Sequence, residues 1–186
     1  MISEQNLTAM IVPFYLGEQP DIEGRTIQQI WAWNFEELEC IDNYIQWLFP
    51  LSEKSHFNHD APIVDESVIE AFTNNPLLRQ NLLRSLSVML NFYGLKIDKD
   101  KQGKVIVKRS SEYPIRKEEW VQIFDHNYLR ITRILKCLMI FDLKEEAQAF
   151  YDCLSNIYQE NKEQVGRETF QYWTDSVTGY YRYENC

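Results

Sequence analysis

The sequence predicts an all-α fold, a single multi-helix globular domain (1–186) with one small inserted β-hairpin. Three observations predict it. Apolar residues recur at spacings of three and four along most of the chain, caps and stops stand at the ends of those stretches, and strict alternation appears once, between Leu95 and Arg109. At 186 residues with 45% hydrophobic and 14% aromatic side chains, the chain can bury a core without disulfides or metal.

Taken in order, residues 1–12 show no clear stripe and read as irregular. Gly17 and Pro20 mark a turn, and Asp21 is placed to cap a helix running through Trp31. The stretch Trp31–Pro62 organises the rest. Leu38, Ile41, Ile45 and Leu48 share one helical stripe, with Glu36, Glu39, Asn43 and Gln46 nearly opposite. Asn34 with Glu37 three residues later forms a capping box, and Pro50 closes this single helix after Phe49. Cys40, Tyr44 and Trp47 add a second apolar set, so the helix is expected to be packed on two sides. A polar loop, 51–64, follows. Asp65 caps a short helix to about Asn74; Asn75 and Pro76 start the next, which Gly94 stops. LKI, a turn of Lys, Asp and Gly, and VIV make the hairpin. A helix beginning near Arg116 continues or restarts after Asp125. Ala147, Phe150, Leu154 and Ile157 align on another, Gly166 breaks it, and RETFQYWTDSV makes the last of about seven.

Composition removes several function classes. The net charge is −9, distributed as −11 over residues 1–75, +7 over 76–136 and −5 over 137–186. The plainer reading is mutual neutralisation of neighbouring segments; the sharper one is a basic face for an anionic partner. A sequence pI near 4.9 argues against nucleic acid. The longest nearly apolar run, Ile131–Phe141, is interrupted by Thr132, Arg133 and Lys136 and is too short to cross a bilayer. No secretory signal opens the sequence, and the scattered cysteines Cys40, Cys137, Cys153 and Cys186 read as thiols in a reducing compartment. An intracellular, soluble (cytoplasmic) location is expected. No phosphate loop, dinucleotide turn or nucleophile elbow is present.

Three constellations remain. His56, His59 and Asp60 place two imidazoles and a carboxylate in one loop, but no second cluster supplies further metal ligands, so no metal or cofactor is assigned. His126 and Cys137 share a helix face, yet eleven residues at about 1.5 Å rise separate them by roughly 16 Å, too far for a dyad. The cationic row is the sharpest signal. His126, Arg130 and Arg133 recur at four and three on an otherwise apolar helix, with Lys136 beside them. They are either internal struts to carboxylates such as Asp21, Glu39 or Asp42, or a fork for a ligand carboxylate or phosphate. Trp31, Trp33, Tyr44, Trp47 and Phe49 read as core, with a pocket wall as the alternative.

YIQWLFP (Tyr44–Pro50) and LRITRILKCL (Leu129–Leu138) resemble motifs of the opioid growth factor receptor conserved region. FYLGEQPDIEGRTIQQI, FNHDAP, MLNFYGL (Met89–Leu95) and His126-Asn127 support the likeness. It spans residues 13–177 and leaves 178–186 as a tail. The family motif carries a histidine two positions before its tyrosine, where this chain has Asp42, so any specific role of that histidine is absent here. The founding animal member is described as a nuclear-associated receptor for an enkephalin-type peptide, with a repeat-bearing tail that this sequence does not show. The resemblance implies a binding module for a peptide or other small acidic ligand, with nuclear association by analogy. On this reading His126, Arg130 and Arg133 hold the acidic group, Tyr44 and Trp47 form the pocket wall, and Asp42 adjoins them. Two other readings stay open, an enzyme acting through the His56–Asp60 loop, the less favoured, and a scaffold whose motifs maintain the core. The sequence leaves the oligomeric state undetermined.

Overall fold

Helices dominate the computed structural model, which describes residues 4–55 and 58–179. Eleven helices and one two-stranded hairpin lie among the described residues, so the mostly α expectation holds. The helix count exceeds seven because several elements are short turns of four to six residues. His56, and the tail from Tyr180 that includes Cys186, lie outside the described residues. Two compact units form, within residues 1–92 and 93–186.

In the first unit, α1 (Glu4–Leu16) occupies the stretch read as irregular. Leu7, Ile11 and Phe14 recur at four and three and are buried with Tyr15, while Pro13 removes one helical donor and blurs the sequence signal. The Tyr15 carbonyl near the helix end accepts from Asn81 Nδ2 at 2.6 Å. Asp21 does not cap the next helix. That helix, α2 (Ile27–Trp31), is capped by Thr26 in a reciprocal box with Gln29. Asp21 instead builds the preceding turn: its Oδ1 accepts the backbone N–H of Glu23 and Arg25, its Oδ2 accepts Arg25 Nε at 2.7 Å, and the same oxygen lies 2.7 Å from Arg25 Nη2 in an ion pair. Arg25 Nη1 donates to Asn43 Oδ1 at 2.7 Å, tying this turn to the next loop.

That tie coincides with the main departure from expectation. The single helix expected from Asn34 to Phe49 is two, α3 (Phe35–Cys40) and α4 (Ile45–Leu48), with Ile41 extended between them at φ −99, ψ 124. The Asn34–Glu37 capping box is present as predicted. At the break Tyr44 Oη donates to the Leu38 carbonyl at 3.0 Å, and at the far end of α4 Tyr15 Oη donates to the Leu48 carbonyl. The stripe survives because Leu38, Ile45 and Leu48 still reach the core.

The 51–64 loop is closed at its neck by a parallel bridge between Leu51 and Ile63, and Thr8 Oγ1 donates to the Ile63 carbonyl at 2.7 Å. Then come α5 (Glu66–Asn74) and α6 (Pro76–Phe92), which pack pairwise with α1 around Phe14, Tyr15, Trp47 and Phe72. Asp65 caps α5 through Val68 N–H, and its bonds to the Ser67 hydroxyl and Val68 N–H hold its carboxyl below the ordinary 3.8. A depressed carboxyl stabilises the fold above its ordinary value and stops doing so as the pH falls through the folded-state value. The group is exposed and solvent-screened, so Asp65→Ala is expected to cost about 1 kcal/mol, the usual worth of an N-cap. Thermal scans should show that deficit at neutral pH and its disappearance in strong acid.

In the second unit, β1 (Leu95–Lys99) pairs antiparallel with β2 (Val105–Arg109), Ile97 opposite Val107. The hairpin packs on α9 (Lys144–Glu160), where Arg109 pairs with Glu160 at 2.9 Å and stacks over Tyr113. Between them run α7 (Tyr113–Trp120) and α8 (Asn127–Ile140), a restart rather than a continuation. A single turn, α10 (Lys162–Val165), leads to α11 (Arg167–Thr178), which packs on α8 and α9. An edge-to-face aromatic ladder, Tyr93, Trp120, Tyr128 and Trp173, runs through this unit's core.

Candidate functional site

The cationic row sits on α8 as its spacing predicts, but its members differ in environment. His126, at the helix start, is exposed. Arg130 is 4% exposed, and its Nη1 donates to Asn127 Oδ1 at 3.3 Å. Arg133 and Lys136 are half-buried. Asn127, wholly buried one turn before Arg130, enters the sequence reading only through the likeness at His126-Asn127 and not as a site residue, although its i, i+3 spacing to Arg130 is legible. The side chain of Asp125 accepts the Asn127 N–H at 2.8 Å and so performs the capping that His126 does not.

The apolar remainder of α8 fixes this geometry. Ile131, Ile134, Leu135, Cys137 and Leu138 are buried, and the Tyr128 carbonyl accepts from both Thr132 Oγ1 and Trp173 Nε1. Burial pushes the Cys137 thiol far above its ordinary value, with Arg133 pulling weakly the other way. Cys153 is pushed up to about 11, chiefly by burial. Neither thiol is a nucleophile near neutral pH. Burial likewise drives the Tyr128 phenol upward and takes Tyr113 to about 12. What α8 offers chemically is therefore fixed positive charge and hydrogen-bond donors.

The first unit holds the other candidates. Tyr44 is fully enclosed, edge-on to Trp33 at 5.3 Å, and Trp47 is 1% exposed against Phe14 at 5.4 Å. Asp42 is exposed in the break between α3 and α4. Asp21, one of the proposed partners for the arginines, is committed to Arg25. In the 51–64 loop, His59 and Asp60 are exposed, and the Asp60 N–H donates to Asn58 Oδ1. Among the described residues no group of three His, Cys, Asp or Glu converges to hold a metal, and no helix is long and apolar enough to cross a membrane.

Comparison with known proteins agrees with the motifs. Opioid growth factor receptor from Mus musculus is 39% identical over 112 residues, covering 60% of this chain and 17% of its own length. Opioid growth factor receptor-like protein 1 from Xenopus tropicalis is 36% identical over 131 residues, 67% of this chain and 24% of its own. The chain thus spans between a sixth and a quarter of these relatives. No solved structure matches it. Residues 5–183 match the opioid growth factor receptor (OGFr) conserved region, and the chain belongs to that family.

Proposed function

We propose that this chain is a soluble, intracellular binding module for an acidic peptide or another small acidic ligand, held by the cationic row of α8. The observation that carries the reading is the cationic row itself, with His126 exposed and Arg133 half-buried on either side of Arg130. Guanidinium forks recognise carboxylates in two-point geometry, which fits a peptide's acidic side chain or free C-terminus. One relative is named opioid growth factor receptor, a name that supports a ligand-binding role. Tyr44 and Trp47 are closed to solvent, so the proposal rests on α8 alone.

Titration calorimetry of the wild type and the Arg130→Gln, Arg133→Gln double variant, with short acidic peptides and with inorganic phosphate, tests it. Loss of charge-assisted bonds worth about 1.5–3 kcal/mol should weaken binding roughly 10- to 100-fold with the fold intact. No binding to the wild type, equal binding by both, or collapse of the double variant's stability would each remove the proposal. The last outcome would make the arginines struts.

A further inference from the structure

The hairpin of β1 and β2 leaves one row of backbone groups without partners. Ser110 N–H donates to the Gly94 carbonyl and Asp100 N–H to that of Lys104, both at 2.9 Å, so these two pairs are hydrogen-bonded ones. In an antiparallel ladder such pairs alternate with pairs whose N–H and C=O point away from the partner strand. Counted inward through the register, Lys96 with Lys108 and Asp98 with Ile106 bond across the hairpin, while Leu95, Ile97 and Lys99 turn their backbone groups to the outer edge of β1. The Asp98 carboxylate takes the Lys99 N–H at 2.8 Å. The N–H groups of Leu95 and Ile97 meet no acceptor among the described residues, and no third strand pairs with β1. Because β2 is the strand that packs on α9, β1 is the outboard one.

Side chains around this edge select what pairs with it. Directly opposed residues share a face, so Lys96, Asp98, Ile106 and Lys108 lie on one side of the hairpin. Leu95, Val107 and Arg109, the last tied to Glu160 of α9, lie on the other. Like charges set opposite each other, as Lys96 and Lys108 are, are unfavourable, and Asp98 offsets this by pairing with Lys108. Lys96, Lys99, Lys101 and Lys104 are exposed, and their ammonium groups form no ion pair among the described residues. Over residues 95–109 six basic side chains stand against two acidic, a sum of +4 in a chain of net charge −9. Edge lysines ordinarily keep other strands away. That exclusion is selective by charge: it repels basic strands, a second copy of this hairpin included, and attracts acidic ones. A phosphate backbone or a lipid surface would satisfy the lysines but not the free N–H and C=O of Leu95 and Ile97, which an extended polypeptide matches. We infer that the outer edge of β1 takes up an acidic peptide as a third strand, its main chain bonded to Leu95 and Ile97 and its carboxylates beside Lys96 and Lys99. This surface lies on a different element from the cationic row of α8 and needs none of its arginines.

A synthetic peptide of alternating valine and glutamate, beside the same peptide methylated at every backbone nitrogen, tests this by titration calorimetry and amide-resolved hydrogen exchange. The first should bind the wild type and slow exchange at the Leu95 and Ile97 amides, which the ladder leaves free. The methylated peptide carries equal charge but no backbone donors, and it should bind at least about 10-fold more weakly. Ile97→Pro removes an outward donor and no ladder bond, so it should weaken binding roughly 10-fold. Lys96→Gln with Lys99→Gln should weaken it roughly 2- to 30-fold. The two peptides decide the matter on the wild type even where proline unsettles the strand. No binding at about 1 mM peptide, equal binding of the methylated peptide, or unchanged exchange at Leu95 and Ile97 overturns the assignment. Binding that survives Ile97→Pro but is lost in the Arg130→Gln, Arg133→Gln variant also overturns it and gives the peptide to α8. So does a wild type that ignores the peptide and binds oligothymidylate, which would give the lysines to a phosphate backbone.

Discussion

Trp120→Ala is expected to lower stability by about 4 kcal/mol, the range found when a large buried aromatic is deleted. The indole is fully buried in the second unit, edge-on to Tyr93 at 5.1 Å and to Tyr128 at 6.5 Å, and its Nε1 donates to the Tyr93 carbonyl at 3.2 Å. Alanine removes both ring contacts, opens a cavity and leaves that carbonyl without the indole donor. For a chain this long the melting temperature should fall by about 8–16 °C. Trp120→Phe keeps most of the ring and loses the N–H, so it should cost only about 1–2 kcal/mol. Calorimetric scans of the three proteins check the order. A fall of less than about 4 °C for alanine would mean that the ladder does not hold this unit together.

The second large effect is expected at Gly94. Its φ of +73 already disfavours any side chain, by about 1–2 kcal/mol. A Cβ there would also stand 2.7 Å from the Tyr113 Cα and 2.9 Å from the Arg116 Cβ, so the first turn of α7 would have to move. Gly103, at the hairpin tip, has a similar φ of +82 and nothing within 4 Å of its virtual Cβ. Gly94→Ala should therefore cost about 3 kcal/mol or more against about 1 kcal/mol for Gly103→Ala. Denaturant unfolding of the pair separates backbone strain, common to both, from the collision, which only Gly94 meets. Equal losses would show that α7 yields freely.

Local chemistry explains which elements were legible. Asn34, Asp65 and Pro76 mark helix starts, and Gly94 follows a helix end, because each acts within a few residues. The hairpin was legible because alternation needs no distant partner. The break at Ile41 was hidden: the stripe from Leu38 to Leu48 keeps helical spacing, while Asn43 is tied to Arg25 and the Tyr44 hydroxyl serves a helix-end carbonyl. These are tertiary bonds that overrode a local preference. At the candidate site, spacing put His126, Arg130 and Arg133 on one face but could not grade their burial. Asn127, the buried partner of Arg130, carries the family likeness at His126-Asn127, but nothing except its spacing marks it as that partner. The left-handed backbone at Phe124 was also illegible, since a phenylalanine gives no hint of it.

The enclosure of Cys137 gives the protein an internal clock. Its sulfur is buried among the apolar residues of α8, and burial keeps it protonated, so an alkylating reagent meets no thiolate while the helix stays packed. Cys40, by contrast, lies at the surface of α3. Modification at position 137 therefore waits on the opening of α8, and its rate, compared with that of an unfolded chain, reads the free energy of that opening. An anion that clamps the arginines of the same helix would slow the clock, and the thiol would report its arrival without touching it.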